Sequence, residues 1–273
     1  MRFMKNTKLT ALLLIGSWLF SPSAMAEWMD IKAGVAKAHS PECKPPPRTP
    51  EKKYPLQFGI YHATPEFGYF SATQGRAQNV EIKTLVGDQF TLTNSRSNNG
   101  LIGLGIYREG YTQAPVDVMF GLNAYFLGPT QVDGTVIQEH LFTNLDYHYS
   151  ITNYPLYVAA KAVYHPDSPW YRLTAGVGLG PNFIYSGQFR ENSLDQGITL
   201  PDRAFTSTTS VAFSATFGVG VQLMQLIPKH PVECGYRFFY LGQGTMATLT
   251  DQIITHLNTG NNYANAVMCG VVF

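Results

Sequence analysis

Five charged residues stand where a charge needs a reason. Asp117, Lys161, Arg172, Glu233 and Arg237 each lie in a stretch whose alternate positions are apolar. Val116, Val118 and Phe120 surround Asp117; Val158, Ala160 and Ala162 precede or follow Lys161; Tyr171 and Leu173 flank Arg172. Val232, Cys234, Tyr236 and Phe238 interleave with Glu233 and Arg237. A period of two puts all five charges on the face opposite the apolar one. Both signs are present, so the group can pair within itself. An isolated buried charge costs several kcal/mol or more, which makes mutual pairing in an interior the chemistry these residues suit.

Catalysis has less to stand on. His165, Asp167 and Ser168 bring base, acid and nucleophile types into one segment, but Pro166 and Pro169 enclose them, and Asp and Ser are ordinary turn formers. His140 and His148 fall on an extended stretch and read as solvated polar residues. No glycine-rich phosphate loop, paired catalytic carboxylates or nucleophile elbow occurs, so neither an enzyme nor a cofactor is expected. Cys43, Cys234 and Cys269 show no C-x-x-C spacing, which argues against zinc, and three cysteines allow at most one internal bridge. Cys234 and Cys269 are expected close together on neighbouring strands. Cross-strand geometry often does not suit a disulfide, so two free thiols are the expectation there.

The elements that must hold these residues are strands. Leu56, Phe58 and Ile60 open the pattern. Ile102, Leu104 and Ile106 alternate with Gly103 and Gly105, and Val116 to Phe126 continue it. A long strand is expected over 140–164, another from Tyr171 to Tyr185, and a clear one from Ser210 to Leu223. Val232 to Tyr240 and the closing stretch Asn262 to Phe273 complete eight strands, with ten not excluded. The connections at 63–97, 128–138, 187–206 and 250–261 read as long loops, the first carrying a hairpin around Gly87-Asp88. Those at 110–115, 165–169 and 227–231 read as short turns. Long and short alternate, as they do where an outer-membrane barrel has short periplasmic turns and long external loops. The fold class expected is all-β: an eight-stranded antiparallel transmembrane β-barrel with both termini on the periplasmic side.

Period two alone does not separate this from a lipocalin-like barrel or a soluble sandwich. Two observations favour an outward apolar face. The other face is small and polar, and eight strands leave an interior that side chains fill. Aromatic residues of the apolar face also gather at strand ends: Tyr164, Tyr171 and Phe273 at the turn side, Phe126, Phe183, Tyr185 and Tyr240 at the loop side. These read as two interfacial belts. Charged residues make up only 14% of the chain and aromatics 13%.

The first 26 residues have a basic start, the apolar run Leu9 to Phe20 and Ala24-Met25-Ala26, the pattern of a cleaved secretory signal. Removing Arg2, Lys5 and Lys8 leaves 16 basic against 18 acidic residues, so no basic surface for nucleic acid is expected. Residues 27–55, with Pro41, Pro45, Pro46, Pro47 and Pro50, read as a flexible periplasmic leader, and 56–273 as the barrel domain. Outer-membrane lipids are the expected partners and a monomer the expected state.

On these residues the chain resembles small bacterial outer-membrane β-barrel proteins, the superfamily of the OmpA transmembrane domain, OmpX and OmpW. The resemblance is carried by Tyr171-Arg-Leu-Thr-Ala-Gly-Val-Gly-Leu-Gly-Pro-Asn-Phe183, Phe213-Ser-Ala-Thr-Phe-Gly-Val-Gly-Val-Gln222 and Glu233-Cys-Gly-Tyr-Arg-Phe-Phe-Tyr-Leu-Gly242. It implies location in the outer membrane and recognition of the last strand by the barrel assembly machinery. That recognition would use Phe273 and Val271; the glycine usual five residues before the end is Met268 here. A structural or surface-exposed role, a narrow channel for small solutes and an adhesin remain open alternatives.

Overall fold

The computed structural model describes residues 61–201 and 203–273. Among them eight long strands follow one another: β1 (Tyr61–Thr73), β2 (Arg96–Gln113), β3 (Val116–Gln138), β4 (Phe142–Tyr164), β5 (Tyr171–Ser193), β6 (Thr208–Ile227), β7 (His230–Thr245) and β8 (Asn258–Val271). Each pairs antiparallel with its sequence neighbour. The ring closes where β1 meets β8, with Phe67 opposite Cys269 and Tyr69 opposite Val267. Beyond Val271 the closure is held by backbone bonds between Phe273 and Ala63, 2.9 and 3.1 Å long. A closed ring leaves no strand edge unpaired, which is what lets a sheet exist where water cannot reach its backbone. The stretches expected as signal peptide and leader, with Cys43, lie outside the described residues.

Side-chain volumes explain the glycine pattern of β2. A Cβ on Gly103 would come within 2.3 Å of the Tyr125 ring, and one on Gly105 within 2.8 Å of the Tyr107 ring. The glycines line the inside, and the tyrosines lie over them. Outward-facing neighbours are the apolar residues: Ile102 is 60% exposed, Leu122 63% and Val158 70%. So the face that would be buried in a water-soluble protein is turned out, and the apolar periodicity marks the outer wall.

The element boundaries differ most from the expected ones in two places; smaller differences are that β2 runs on to Gln113, β5 runs on to Ser193 and β8 begins at Asn258, inside stretches expected as a turn or loops. The first described strand is Tyr61–Thr73, which runs into the 63–97 stretch expected as a loop, while Leu56, Phe58 and Ile60 lie outside the described residues. Phe70 and Ala72 point inward while Phe67 and Tyr69 point outward, so apolar residues on both faces hide the alternation. The segment 128–138 is not a loop. It continues β3 and pairs with β4 up to Gln138 opposite Phe142. A bulge between Leu127 and Thr130 shifts the inward set from odd to even numbers, which breaks the period and mimics a loop. A matching bulge in β5 sits between Gly187 and Arg190, at Gln188 with φ +57°.

The remaining connections at this end fold on one another. Gln78–Val80 and Asp88–Phe90 form a hairpin that adds onto β3, turning at Gly87, whose φ of +85° and 2.5 Å approach to the Val80 carbonyl admit no side chain without strain. Phe205–Thr206 pairs with Ala247–Thr248. Backbone bonds from Lys83 to Gln252 and from Ile254 to Glu81, both 2.8 Å, tie the first connection to the last. The result is a folded cap over the barrel's loop end.

Candidate functional site

The interior is best built from the turn end upward. Lowest are two acid–imidazole pairs, His62 with Glu109 at 3.0 Å and His165 with Asp117 at 2.5 Å. Both are half-exposed rim contacts. Above them Lys161, buried on β4, pairs with Glu233 on β7. Glu233 also accepts hydrogen bonds from Thr174 and Gln222, each 3.0 Å. The Lys161 ammonium lies 5.2 Å from the centre of the Tyr107 ring.

One layer higher, Arg237 approaches Glu66 at 3.9 Å and lies 5.3 Å from the Tyr125 ring centre. Tyr125 donates its hydroxyl to Glu66 at 2.8 Å. These charged layers come from β1, β3, β4, β5, β6 and β7, so the network spans the lumen rather than lining one wall. The space left among them is a cavity of about 20 Å³, room for about one water molecule.

Aromatic and apolar side chains close the next level. Tyr125, Tyr157 and Phe239 pack together with ring centres 5.3–6.3 Å apart, beside Phe70, Leu127 and Leu241. Tyr157 and Ser214 share a 2.6 Å hydrogen bond. Above these, the Asn182 amide donates to Asn153 and to the Leu241 carbonyl, both at 2.8 Å.

The cap core begins here, with Val132, Val136, Leu145, Tyr147, Tyr149, Ile151, Phe90 and Phe205 all inward. Phe90 packs edge-on against Tyr147 at 5.1 Å and Phe205 at 5.8 Å. Outside this core the wall is polar: Asp133, His148 and Arg190 form one cross-strand row.

Of the five charges read from the sequence, the structure brings Lys161, Glu233 and Arg237 together. Asp117 is instead held by His165 at the rim, and Arg172, half-buried near the turn end of β5, has no ion-pair partner among the described residues. Both sit a layer too low, because a shared face does not fix height along a tilted barrel. Glu66 is the member the sequence does not reveal, since its strand lies within the 63–97 stretch that reads as a loop. Its signal is Thr64-Pro-Glu-Phe-Gly-Tyr69, where an acid alternates with aromatic residues.

The aromatic residues of the outer face are placed as follows. Tyr164, Tyr171 and Phe273 are exposed at the turn end, and Phe183 and Tyr185 at the loop side. Phe126 packs at a tilt against Tyr154 at 5.4 Å and Tyr240 against Tyr263 at 5.6 Å, two partners the sequence does not single out. Asn265, polar on the apolar face, is satisfied by the Tyr236 hydroxyl at 2.6 Å.

The cysteines correct an expectation. Cys234 and Cys269 are bridged, not free. They are directly opposed in register with Cα atoms 4.1 Å apart, the close spacing typical of a non-hydrogen-bonded antiparallel pair. The expected adjacency was right and the redox state was not.

Two carboxylates of the cap have identifiable surroundings. Asp195 accepts hydrogen bonds from the Ser193 hydroxyl at 2.5 Å, the Thr199 hydroxyl at 2.5 Å and the Thr199 amide at 2.9 Å. These hold its carboxyl down at about 2. Burial pushes the Asp88 carboxyl up, against the opposing hydrogen bond from the Glu139 amide.

An eight-stranded ring with an apolar wall outside and paired charges within is the architecture of an outer-membrane β-barrel. No protein-family description matches the sequence, and no curated protein does. Several solved outer-membrane proteins are distantly similar. Neisserial surface protein A is 10% identical over 78% of this chain and 95% of its own, with a TM-score of 0.39. The outer membrane protein OprG from Pseudomonas aeruginosa is 11% identical over 79% and 97%, with a TM-score of 0.43. The outer membrane protease OmpT from Escherichia coli is 10% identical over 78% and 96%, with a TM-score of 0.44. At such values the class rests on strand pairing and on the outward apolar face, not on the likeness.

Proposed function

We propose that this protein is an integral outer-membrane barrel, sealed to solutes, whose work is done by the folded cap it presents outside the cell. The observation that carries this reading is the double stopper. A layer of paired charges and a layer of packed aromatic rings fill the lumen, and a separate apolar core closes the loop end. A channel for small solutes would need both displaced. The cavity lined by Lys161, Glu233, Glu66 and Arg237 is about 20 Å³. The stretch from Tyr154 to Tyr164 has the length, about 9–11 residues, that a tilted strand needs to cross the hydrocarbon. Tyr164, Tyr171 and Phe273 then form the periplasmic belt, and Phe126, Phe183, Tyr185 and Tyr240 the outer one. Lipid is the immediate partner. Export by the N-terminal signal, recognition of Val271 and Phe273 by the assembly machinery, and a monomeric, non-enzymatic state complete the reading.

The test is planar-bilayer recording of the refolded full chain, with liposome swelling in small sugars. No stable conductance step and no swelling above empty liposomes are expected. A reproducible open channel in the wild-type protein contradicts the reading.

A further inference from the structure

The cap holds a cleft of about 490 Å³ between the first hairpin, the β3–β4 tip and the last connection. Its volume is that of a small-molecule site. Ile82, Leu85, Phe142 and Ile253 contribute its apolar walls, with Leu85 59% and Phe142 61% exposed. Such side chains, held open to water on a rigid scaffold, are what an apolar ligand body covers.

The polar part of the cleft has one sign. Asp88, Glu139 and Glu191 line it, and among the described residues lining it there is no lysine or arginine. Asp88 is half-buried, and its carboxylate accepts a hydrogen bond from the Glu139 amide at 3.1 Å, which places a second carboxylate beside it. The surrounding segments are acidic as well. Residues 74–95, 131–150, 187–207 and 246–257 together hold nine Asp or Glu against four Lys or Arg. A carboxylate partly withdrawn from water gains most from a cation that brings its own apolar body, because the ligand desolvates the pair as it forms it.

We propose that this cleft binds a small amphipathic amine, with an aromatic or alkyl body on Ile82, Leu85, Phe142 and Ile253 and an ammonium group at Asp88 and Glu139. The hairpin turn at Gly87 sets Asp88 at the cleft, and the bonds from Lys83 and to Glu81 fix that hairpin against the opposite wall. The site is therefore largely formed before a ligand arrives. This deepens the reading of the cap as the working surface and rests on it.

The experiment uses the full chain in phosphatidylcholine nanodiscs, where both ends of the barrel are accessible, so that failure of binding is separate from failure of the sealed-barrel reading. Saturation-transfer NMR compares 4-phenylbutylamine, 4-phenylbutanol and 4-phenylbutyrate, with empty nanodiscs subtracted. The amine is expected to bind about tenfold more tightly than the alcohol, the usual margin of one charge-assisted hydrogen bond. The acid is expected not to bind. Asp88→Asn should remove the amine's advantage, and Glu139→Gln should reduce it should Asp88→Asn fail the heat-modified gel shift of the folded barrel. Asp195→Asn, outside the cleft, should leave it intact. Equal affinity for amine and alcohol, preference for the acid, or no signal above empty nanodiscs overturns the proposal.

Discussion

The lower barrel and the cap are built from the same strands, yet their polarity is opposite. Below the bulge at Leu127–Thr130, β3 and β4 turn Leu122, Leu156 and Val158 outward and keep Asn123 and Lys161 inside. Above it the same two strands turn Asp133, Asp146 and His148 outward and keep Val132, Leu145, Tyr147 and Ile151 inside. In the proposed membrane placement the lower half is solvated by lipid, so its polar groups must pair with each other. The upper half is solvated by water, so the hydrophobic effect folds it as it folds a small soluble domain. One strand can serve two solvents because a strand's two faces are independent, and only the residues chosen for each face need to change.

That contrast predicts different responses to damage. The largest effect should come from leaving a buried charge alone. Glu233→Ala orphans Lys161 and should cost about 3–5 kcal/mol, read as a lower urea midpoint of the whole barrel in nanodiscs. Adding Lys161→Met should recover most of it, and a double variant as weak as the single one would show that pairing is not what Glu233 supplies.

In the cap, Phe205→Ala removes a ring packed at 5.8 Å from Phe90 and 5.1 Å from Phe189. A loss of about 3–5 kcal/mol is usual for such truncations, but here it should fall on the cap alone. Protease sensitivity of residues 74–95 and 246–257 should rise, while the heat-modified gel shift of the barrel stays. Loss of both together would mean that the two regions are one cooperative unit.

A smaller effect is expected at the Cys234–Cys269 bridge. It joins neighbouring strands across 35 residues and acts mainly on the unfolded chain, a contribution of about 2–4 kcal/mol. Cys234→Ser with Cys269→Ser should slow refolding or lower the midpoint without changing cap proteolysis.

The smallest effect concerns Asp195. Its carboxyl is held below the usual carboxylate value of about 3.9, so the contribution of its hydrogen bonds is present above that value and is lost as pH falls through about 2. The Thr199 amide resonance should follow this titration. A midpoint at the ordinary carboxylate value would remove the Ser193–Thr199 contacts from the account.

The wall of the barrel was far more legible than its contents. Strands such as 210–223 show clean alternation because each faces lipid on one side and a narrow lumen on the other, and the glycines of 102–106 signal the inside directly. What stayed hidden has a physical cause in each case. Phe70 and Ala72 are apolar and inward, so β1 loses its contrast and Glu66 goes unnoticed with it. The β3 bulge reverses parity in mid-strand, so 128–138 reads as a loop. Height within the lumen depends on strand tilt and register, which is why Asp117 and Arg172 looked like partners of Lys161 and are not. The cap was invisible as a unit, because its core draws single residues such as Phe90, Phe205, Met246 and Leu257 from separate connections. The hairpin around Gly87 was the one part of it that local sequence marked.

The inversion of polarity is the claim on which the membrane placement, the belts and the outward cap all depend. It can be read by nitroxide labels placed singly along β4 in a Cys43→Ser background, with accessibility to oxygen and to a water-soluble nickel complex measured in nanodiscs. Labels at Leu156, Val158 and Ala162 should favour oxygen, labels at Asp146 and His148 should favour nickel, and the crossover should fall between Thr152 and Tyr154. Equal nickel accessibility at Val158 and His148 would contradict the account.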